Sequence, residues 1–281
     1  MFLKNIVKLT GLLILIAFSF FYSDRVLSVV SSNDSLMLKI KEVSDDYKIE
    51  TIDGILDRNT IIPGISGKIV NVEDSYKKMR EIGKFNDKLL VYDLVKPKNS
   101  LDNNSDKYIV HGNYNKKLVS IIFIIDNDRY LDKMVSIVNN KNIVVNYFVT
   151  YDYLIDNSTN LLNLSKSEIY NYGDDGEYTP DNLLFANNLI TRITKNSAKY
   201  CLAKEFNYTV LSLCSKNDLF TIVPDIIIDN NLYVEVKNKL NSGSIILVKL
   251  NNNNVMEMSI TIDYIRHKGL DIVGLSTLLS E

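Results

Sequence analysis

The sequence predicts an α/β protein whose largest part is an irregular or incomplete (β/α) barrel, preceded by an N-terminal membrane segment and a small α+β module. Three observations lead to this class. The second half of the 281-residue chain alternates short, β-rich apolar runs with stretches of helical periodicity. The first half has shorter strand patterns punctuated by Pro and Gly, and the chain begins with a long uncharged apolar run. A doubly wound parallel sheet is the alternative.

The composition excludes several classes of function. Hydrophobic residues make up 46% of the chain and charged residues 23%, which is typical of a globular protein rather than a disordered one. Lys and Arg number 32 against 34 Asp and Glu, so there is no basic excess to neutralise a phosphate backbone. Two Cys and two His are too few for a Cys/His zinc domain, which takes about four ligands. The composition therefore excludes a structural zinc domain, and the charge balance leads us to expect no nucleic-acid partner.

The first 30 residues carry the targeting signal. Lys4 and Lys8 flank the start of an apolar stretch that, counted over residues 6–22, nearly reaches the length of a membrane-spanning helix. Small residues with the spacing of a signal-peptidase site are missing directly after it. We expect residues 1–30 to be an uncleaved signal anchor in the cell membrane, with the body of the protein extracellular. A cleaved signal peptide and a secreted protein are the alternative.

Residues 31–106 are predicted to form a small membrane-proximal α+β module. Its elements, in order, are strands at residues 47–52 and 68–70, a helix that begins after the cap Asn71 and ends at Gly83, and a strand at residues 89–95. Residues 97–106 are rich in Lys, Asn, Ser and Asp, and we expect an exposed loop there. This loop is the predicted domain boundary.

Residues 107–281 are predicted to form the barrel domain. The strands are expected at residues 118–125, 143–149, 169–172, 208–213, 220–223, 244–250 and 272–274, and the helices at residues 132–140, 180–195, 232–240 and 256–268. Thr179 and Pro180 have the pattern of an N-cap and a first-turn proline. Strands that alternate with helices at this spacing favour parallel pairing, as in the eight-stranded barrel.

Three segments within residues 117–280 match, in order and spacing, the motifs of one enzyme family. They read N-I-V-V-N-Y-F-V at 142–149, I-T-R-I-T at 190–194 and N-S-G-S-I-I-L at 241–247. These resemble the N-V-K-A-T-F-F-V, I-x-x-I-T and n-G-S-I-I-L motifs of the polysaccharide deacetylases, the NodB-like carbohydrate esterases. The resemblance implies the fold of that family and the hydrolysis of carbon–nitrogen (amide) bonds in N-acetylated polysaccharide.

The same resemblance implies that the family's metal site has been lost. That site uses one aspartate and two histidines as ligands, with a carboxylate base and a histidine acid. The T-F-D-D-G motif falls on residues 122–126, where isoleucine stands at the positions of both acids. At most Asp126 or Asp128 could replace one of these acids, and only if the alignment is shifted. The two metal histidines of the E-I-G-N-H-x-x-x-H motif fall on Tyr172 and Gly176.

Two further motifs of the family are altered as well. The R-P-P-Y-G motif falls near residues 201–206 and lacks its arginine and prolines, and the late L-x-H motif ends on Lys249. The two histidines of the chain, His111 and His267, lie outside every ligand position. We therefore predict no catalytic residue, no metal and no cofactor, and a degenerate member of the family.

These observations predict a membrane-anchored, extracellular, deacetylase-like protein that is non-catalytic and that binds cell-envelope glycan or acts as a scaffold. Its expected partner is cell-wall polysaccharide or an envelope protein. The candidate groove residues are Asp126, Asp128, Tyr172, Asp174 and Lys249. The alternative is an active hydrolase that removes N-acetyl groups from cell-wall polysaccharide with an atypical site.

A disulfide is a further open question. Cys201 and Cys214 could pair in an oxidising exterior, but their spacing alone leaves the pairing undecided.

Overall fold

The computed structural model describes residues 12–18, 34–164 and 166–281. The strands are β1 (Ile55–Asp57), β2 (Thr60–Ile62), β3 (Gly67–Val70), β4 (Tyr92–Val95), β5 (Tyr108–Ile109), β6 (Leu118–Ile125), β7 (Asn146–Val149), β8 (Glu168–Asn171), β9 (Tyr200–Leu202), β10 (Phe220–Ile222), β11 (Ile226–Ile228), β12 (Ile245–Val248) and β13 (Asp271–Ile272). The helices are α1 (Ser35–Val43), α2 (Val72–Arg80), α3 (Leu131–Lys141), α4 (Tyr151–Asn157), α5 (Pro180–Thr194), α6 (Tyr208–Lys216), α7 (Leu232–Lys239), α8 (Asn252–His267) and α9 (Leu275–Leu278).

The predicted membrane anchor falls mostly outside the described residues. Residues 12–18 are helical. Within the part of the chain that the structure describes, no helix combines the length and apolar character that a bilayer crossing needs. The remainder of the predicted span, residues 6–11 and 19–22, is not among the described residues, so the anchor stays a prediction.

The described residues within 1–51 and 66–95 belong to one compact unit. Its core is formed by α1 and α2, which pack Ile40 and Met79 against each other with both side chains fully buried. The Asn71 side chain accepts a hydrogen bond from the Asp74 amide at 2.9 Å, so the predicted N-cap of α2 is confirmed. The strands β3 and β4 pair in antiparallel fashion beside these helices.

The predicted boundary of the membrane-proximal module is wrong. Residues 52–65 and 96–106 belong to the second unit, which comprises residues 52–65 and 96–281. The hairpin β1–β2 enters that unit because β2 pairs with β5. The loop at 97–106 is not simply exposed, since Leu101 is buried in the core of the second unit. Local sequence patterns cannot show such an insertion, because the pairing joins residues about fifty positions apart.

The second unit contains two sheets with mainly parallel strands. One has the strand order β11–β12–β6–β7–β8, with β13 also paired with β6. The other has the order β1–β2–β5–β10–β9. The predicted α/β class with parallel strands is therefore confirmed. Both edges of β10 are occupied, by β9 and by β5, so β11 joins the other sheet and the described strands do not close into one barrel.

Side chains of β6 alternate between the two faces of its sheet. Ile121, Phe123 and Ile125 face the layer of α3, α7 and α8, where all three are buried. Ile122 points to the opposite face, into a core between the two sheets that also contains Leu202. Successive side chains of this eight-residue strand point to opposite faces of the sheet, and both faces are buried. The strand therefore has a continuous apolar sequence.

The amino ends of the central strands are closed by the C-terminal segment. Leu275 and Leu278 of α9 are buried in the core between the sheets. The Leu275 amide donates to Asn146 Oδ1 at 2.8 Å, and Asn146 Nδ2 donates to Ser120 Oγ at 2.7 Å. A ligand must therefore reach the sheet from its other end, where the carboxyl ends of the strands lie.

The segment predicted as a strand at residues 208–213 is wrong, because it forms α6. Asn207 Oδ1 accepts from the amides of Thr209 and Val210 at 3.0 and 3.2 Å, which caps the helix. The structure also pairs Cys201 of β9 with Cys214 of α6 in a disulfide. The Tyr-Thr-Val-Leu sequence has a high strand propensity, and the cap and the tertiary contacts of α6 override it.

Candidate functional site

An open cleft of about 560 Å³ lies at the carboxyl ends of the central strands. Its walls come from the residues that follow β6, β11 and β12, together with two loops. The lining residues are Ile124, Asp126, Asn127, Arg129, Tyr130, Asp175, Lys204, Ile227, Ile228, Asp229, Leu247, Val248, Lys249, Leu250 and Asn251. In parallel α/β folds the carboxyl ends of the strands are where functional groups collect.

The charged side chains of the cleft are balanced in sign. Three are acidic and three are basic, so together they contribute no net charge. They are Asp126, Asp175, Asp229, Arg129, Lys204 and Lys249. Such a lining offers both hydrogen-bond donors and acceptors without a strong field of either sign. It suits a neutral polar ligand better than a polyanion.

The walls formed by β11 and β12 are held together by Asn254 of α8. Its fully buried side chain donates from Nδ2 to the Asp229 carbonyl at 3.0 Å and to the Lys249 carbonyl at 2.9 Å. Asn251 adds a bond from its own Nδ2 to the Asp229 carbonyl at 2.6 Å. These bonds fix the backbone that carries two charged side chains of the cleft, so this wall is preorganised.

The turn after β6 positions the first of the predicted groove residues. Asp126 lines the cleft, and its Oδ1 accepts from Asn127 Nδ2 at 2.5 Å. Asn127 Oδ1 in turn accepts from the Arg129 amide at 2.8 Å. Asp128 points elsewhere, because the Tyr153 hydroxyl donates to its carboxylate. Burial in the first place, and then this carboxylate, raise the pKa of Tyr153 to about 12.

The remaining predicted groove residues lie at different depths. Lys249 lines the cleft. Asp174 does not, since it forms a tight turn in which its amide donates to the Glu177 carbonyl at 2.8 Å, and Asp175 faces the cleft in its place. Tyr172 is 2% exposed and lies beneath the lining. The structure thus brings Asp126 and Lys249 together and leaves Asp128 and Asp174 outside the cleft.

Four charged residues of the lining were missed by the sequence analysis: Arg129, Asp175, Lys204 and Asp229. Asp229 follows β11, a three-residue strand too short to stand out by its pattern. Lys204 lies in the loop where the R-P-P-Y-G motif was expected, and that alignment was the only signal for it. For Arg129 and Asp175, the only indication in the sequence is that they follow the predicted groove residues Asp128 and Asp174.

Lys204 and Tyr172 join the cleft to the buried layer below it. The Lys204 ammonium lies 5.7 Å from the centre of the Tyr172 ring, within the range of a cation–π contact. Burial raises the pKa of the Tyr172 hydroxyl, and the neighbouring Lys204 opposes that shift. Gly176 has a φ of +91°, and a Cβ placed on it would lie 2.9 Å from the Tyr172 hydroxyl oxygen. The phenol therefore occupies the space beside Gly176.

No model of a protein family matches the chain. The uncharacterized protein YlxY of Bacillus subtilis strain 168 is 25% identical over 275 residues, which cover 90% of this chain and 86% of YlxY. Among solved structures, the CE4 family pseudoenzyme BA3943 of Bacillus anthracis superposes with a TM-score of 0.65 at 20% identity, over 89% of this chain and 96% of the other. A mutant of that protein, described as a pseudoenzyme with restored enzymatic activity, superposes with a TM-score of 0.66 at 20% identity. The superposition covers 88% of this chain and 99% of the mutant.

A structure that carries the name of a deacetylase also superposes. The Bc1960 peptidoglycan N-acetylglucosamine deacetylase gives a TM-score of 0.55 at 15% identity, over 61% of this chain and 92% of the other. The chain has the fold of the CE4 polysaccharide deacetylases. The fold that the sequence resemblance implied is therefore confirmed, and the similarity extends to a pseudoenzyme of that fold.

The deacetylase motif positions do not fit a metal in this chain. Ile124 lines the cleft, while Ile125 is fully buried on the helix side of the sheet, so neither acid of the T-F-D-D-G motif has a counterpart there. Tyr172 and Gly176 are neighbours in space, as two ligands of one metal would be, but one is a buried phenol and the other has no side chain. Neither residue can present the imidazole that the deacetylase chemistry requires.

The other side chains do not replace those ligands. Among the described residues, no group of three or more His, Cys, Asp and Glu side chains has the arrangement of a metal site. His111 is buried beside Asp225, with 3.7 Å between Nε2 and Oδ2, and does not line the cleft. His267 is the last residue of α8 and does not line it either.

Proposed function

We propose that this protein is a non-catalytic, deacetylase-like glycan-binding protein of the cell envelope, anchored in the membrane with its body outside. One observation carries the proposal. The cleft of the deacetylase fold is present and lined with polar groups, whereas Ile124, Ile125, Tyr172 and Gly176 stand at the positions that the deacetylase motifs assign to the base and metal ligands. Binding is the function that such a cleft can retain.

The chemistry of the lining supports a neutral glycan as the ligand. A sugar chain presents hydroxyl and amide groups that can pair with carboxylates, ammonium groups and side-chain amides. Asp126, Asn127, Lys249 and Asn251 supply these types of partner from two walls of the cleft. The balanced charge favours an uncharged polymer over a nucleic acid or a phosphorylated ligand.

Three observations support a location in the envelope. One CE4 relative is a peptidoglycan N-acetylglucosamine deacetylase by name, which points to a cell-wall glycan. The Cys201–Cys214 disulfide is typical of proteins outside the reducing cytoplasm. The apolar run at residues 6–22 has the composition of a membrane anchor. An envelope protein is the other partner that fits these observations.

Sedimentation of the full chain with purified peptidoglycan tests the proposal. We expect saturable binding by the wild type and a loss of binding in the cleft variant Asp126→Ala/Lys249→Ala. The matched control is Asp156→Ala/Lys133→Ala, which removes one acid and one base from positions outside the cleft lining. Absence of saturable binding by the wild type would contradict the proposal.

Acetate release from peptidoglycan separates the proposal from the hydrolase alternative. We expect none from the wild-type protein with or without added divalent metal. Acetate release by the wild type that disappears in Asp126→Asn would contradict the binding proposal and favour the atypical hydrolase.

A further inference from the structure

A second groove, of about 490 Å³, lies in the same unit as the cleft. Two aromatic side chains form its most exposed part: Phe206 is 62% exposed and Tyr208 is 79% exposed. These two exposed rings give the groove an apolar surface that a ligand can cover. Its polar lining includes Asn59, Asp106 and Lys107. The groove therefore pairs flat apolar faces with hydrogen-bonding groups.

The groove and the cleft share one short loop. Lys204 lines the cleft and Phe206 lines the groove, and two residues of extended chain span at most about 7 Å. This distance is comparable with the size of one sugar ring. The cleft and the groove are therefore joined by this loop, so an extended ligand can follow it from the cleft toward the two rings.

The Phe206 ring is supported from below. Its centre lies 4.8 Å from the centre of the Tyr108 ring, which is 3% exposed. The Cys201–Cys214 disulfide ties α6 to β9 on the other side of the loop. A ring held in this way can stack on a ligand without a large loss of side-chain entropy.

We propose that Phe206 and Tyr208 form an extension of the cleft in which further units of a bound glycan chain stack on the two rings. The inference rests on the proposed function, because it assumes that a glycan occupies the cleft. The apolar faces of pyranose rings pack against aromatic rings, while their hydroxyl groups require polar neighbours such as Asn59 and Lys107.

Calorimetric binding of N-acetylglucosamine oligomers to the full chain tests the extension. We expect the wild type to bind the hexamer more tightly than the dimer. In Phe206→Ala/Tyr208→Ala, hexamer affinity should fall by about tenfold while dimer affinity stays unchanged, because only the longer chain reaches the rings. Phe206→Trp should retain the tight hexamer binding, since it preserves a flat apolar face.

Phe185→Ala is the matched control, because Phe185 is 50% exposed and lines neither the cleft nor the groove. Phe206, Tyr208 and Phe185 are all at least half exposed, so we expect every variant to stay folded, with at most a small fall in melting temperature from the lost contacts of Phe206 with Tyr108 and of Phe185 with Tyr151. Equal affinity for the dimer and the hexamer, or equal weakening of both in the double variant, would overturn the extension and leave the proposed function intact. No binding of either oligomer or of peptidoglycan by the wild type would overturn both.

Discussion

At the scale of single residues, the positions that the deacetylase motif assigns to the two metal histidines hold Tyr172 and Gly176, and neither residue lines the cleft. Tyr172 and Gly176 form a complementary pair in which a phenol fills the space next to a residue without a side chain. The exchange of these two residue types was readable from the alignment with the family motif. That the two positions touch was not readable, because they are four residues apart in a loop whose path depends on two positive-φ glycines and a turn.

The first prediction concerns Gly176. Gly176→Ala should lower the free energy of unfolding by about 1–3 kcal/mol, because Ala at a φ of +91° is strained and its Cβ would lie 2.9 Å from the Tyr172 hydroxyl. Urea unfolding measures this change. Gly269→Ala is the matched control, since Gly269 has a φ of +74° but its added Cβ would meet no other atom within 4 Å. We expect the control substitution to lower the free energy of unfolding by less than Gly176→Ala does.

A double variant separates strain from contact. In the Tyr172→Phe background the hydroxyl is gone, so the cost of Gly176→Ala should fall toward that of Gly269→Ala. A cost that is unchanged by Tyr172→Phe would show that the Tyr172 hydroxyl does not contribute to it, and that the positive φ and the ring carbons account for the whole effect.

The second prediction concerns the pH dependence of stability. Burial raises the pKa of the Asp225 carboxyl above its ordinary value of 3.8, although the Ile245 amide and His111 oppose the shift. As the pH rises above 3.8, the unfolded chain ionises at this position while the folded chain still holds its proton. The stability that Asp225 contributes is therefore present below that pH and is lost as the pH rises through the raised pKa.

Asp225→Asn removes this titration and keeps an acceptor for the Ile245 amide, which donates to Asp225 Oδ1 at 2.5 Å. We expect the variant to gain stability relative to the wild type as the pH rises from 4. Unfolding free energies at several pH values measure the difference, with Asp156→Asn, at an exposed position, as the control. A difference that does not change with pH would contradict the assignment.

At the scale of elements, the segment around α6 shows where local propensity fails. Residues 208–213 have the apolar, β-branched character of a strand, yet they form a helix capped by Asn207 and joined to β9 through a disulfide. By contrast, the helix after Thr179 was predicted correctly, because a capping box and Pro180 specify it locally. The combined signals of Thr179 and Pro180 were strong enough to predict a helix, whereas the single cap residue Asn207 was outweighed by the strand propensity of the residues after it.

The third prediction concerns the disulfide. Reduction should lower the free energy of unfolding by about 3 kcal/mol, because the bond closes a short loop in the unfolded chain, with a sequence separation of 13 between its ends. Guanidinium unfolding with and without reductant measures the change. Cys201→Ala/Cys214→Ala should no longer respond to reductant. An equal response in the variant and the wild type would mean that the reductant acts elsewhere.

At the scale of the whole molecule, the fold closes one end of the central sheet and leaves the other open. Leu275 and Leu278 fill the space between the sheets near the amino ends of the strands, and the cleft lies at the carboxyl ends. The architecture of the deacetylases is therefore preserved around a site whose residues have changed. Function must accordingly be inferred from the cleft rather than from the fold.

The fourth prediction concerns zinc. If the protein had an intact zinc site, a free zinc concentration one hundred times the Kd would stabilise it by about 2.7 kcal/mol. We expect no rise in the melting temperature of the wild type with zinc, and no fall on addition of a chelator, because the cleft offers no imidazole. His267→Gln controls for binding at the surface, and an active deacetylase of the same fold is the positive control. A saturable rise that persists in His267→Gln would contradict this expectation.

The sequence by itself determined the α/β class, the parallel strands of the second half, the resemblance to the deacetylases and the loss of the metal histidines. These depend on local periodicity and on residue identity at aligned positions. Only the tertiary structure decided that β1 and β2 join the second unit, that β5 keeps the strands from closing into one barrel, and that Lys204 and Asp229 share the cleft with Asp126 and Lys249. Each of these features is a contact between residues far apart in the chain, and such contacts are specified by the packing of the whole core rather than by any one segment.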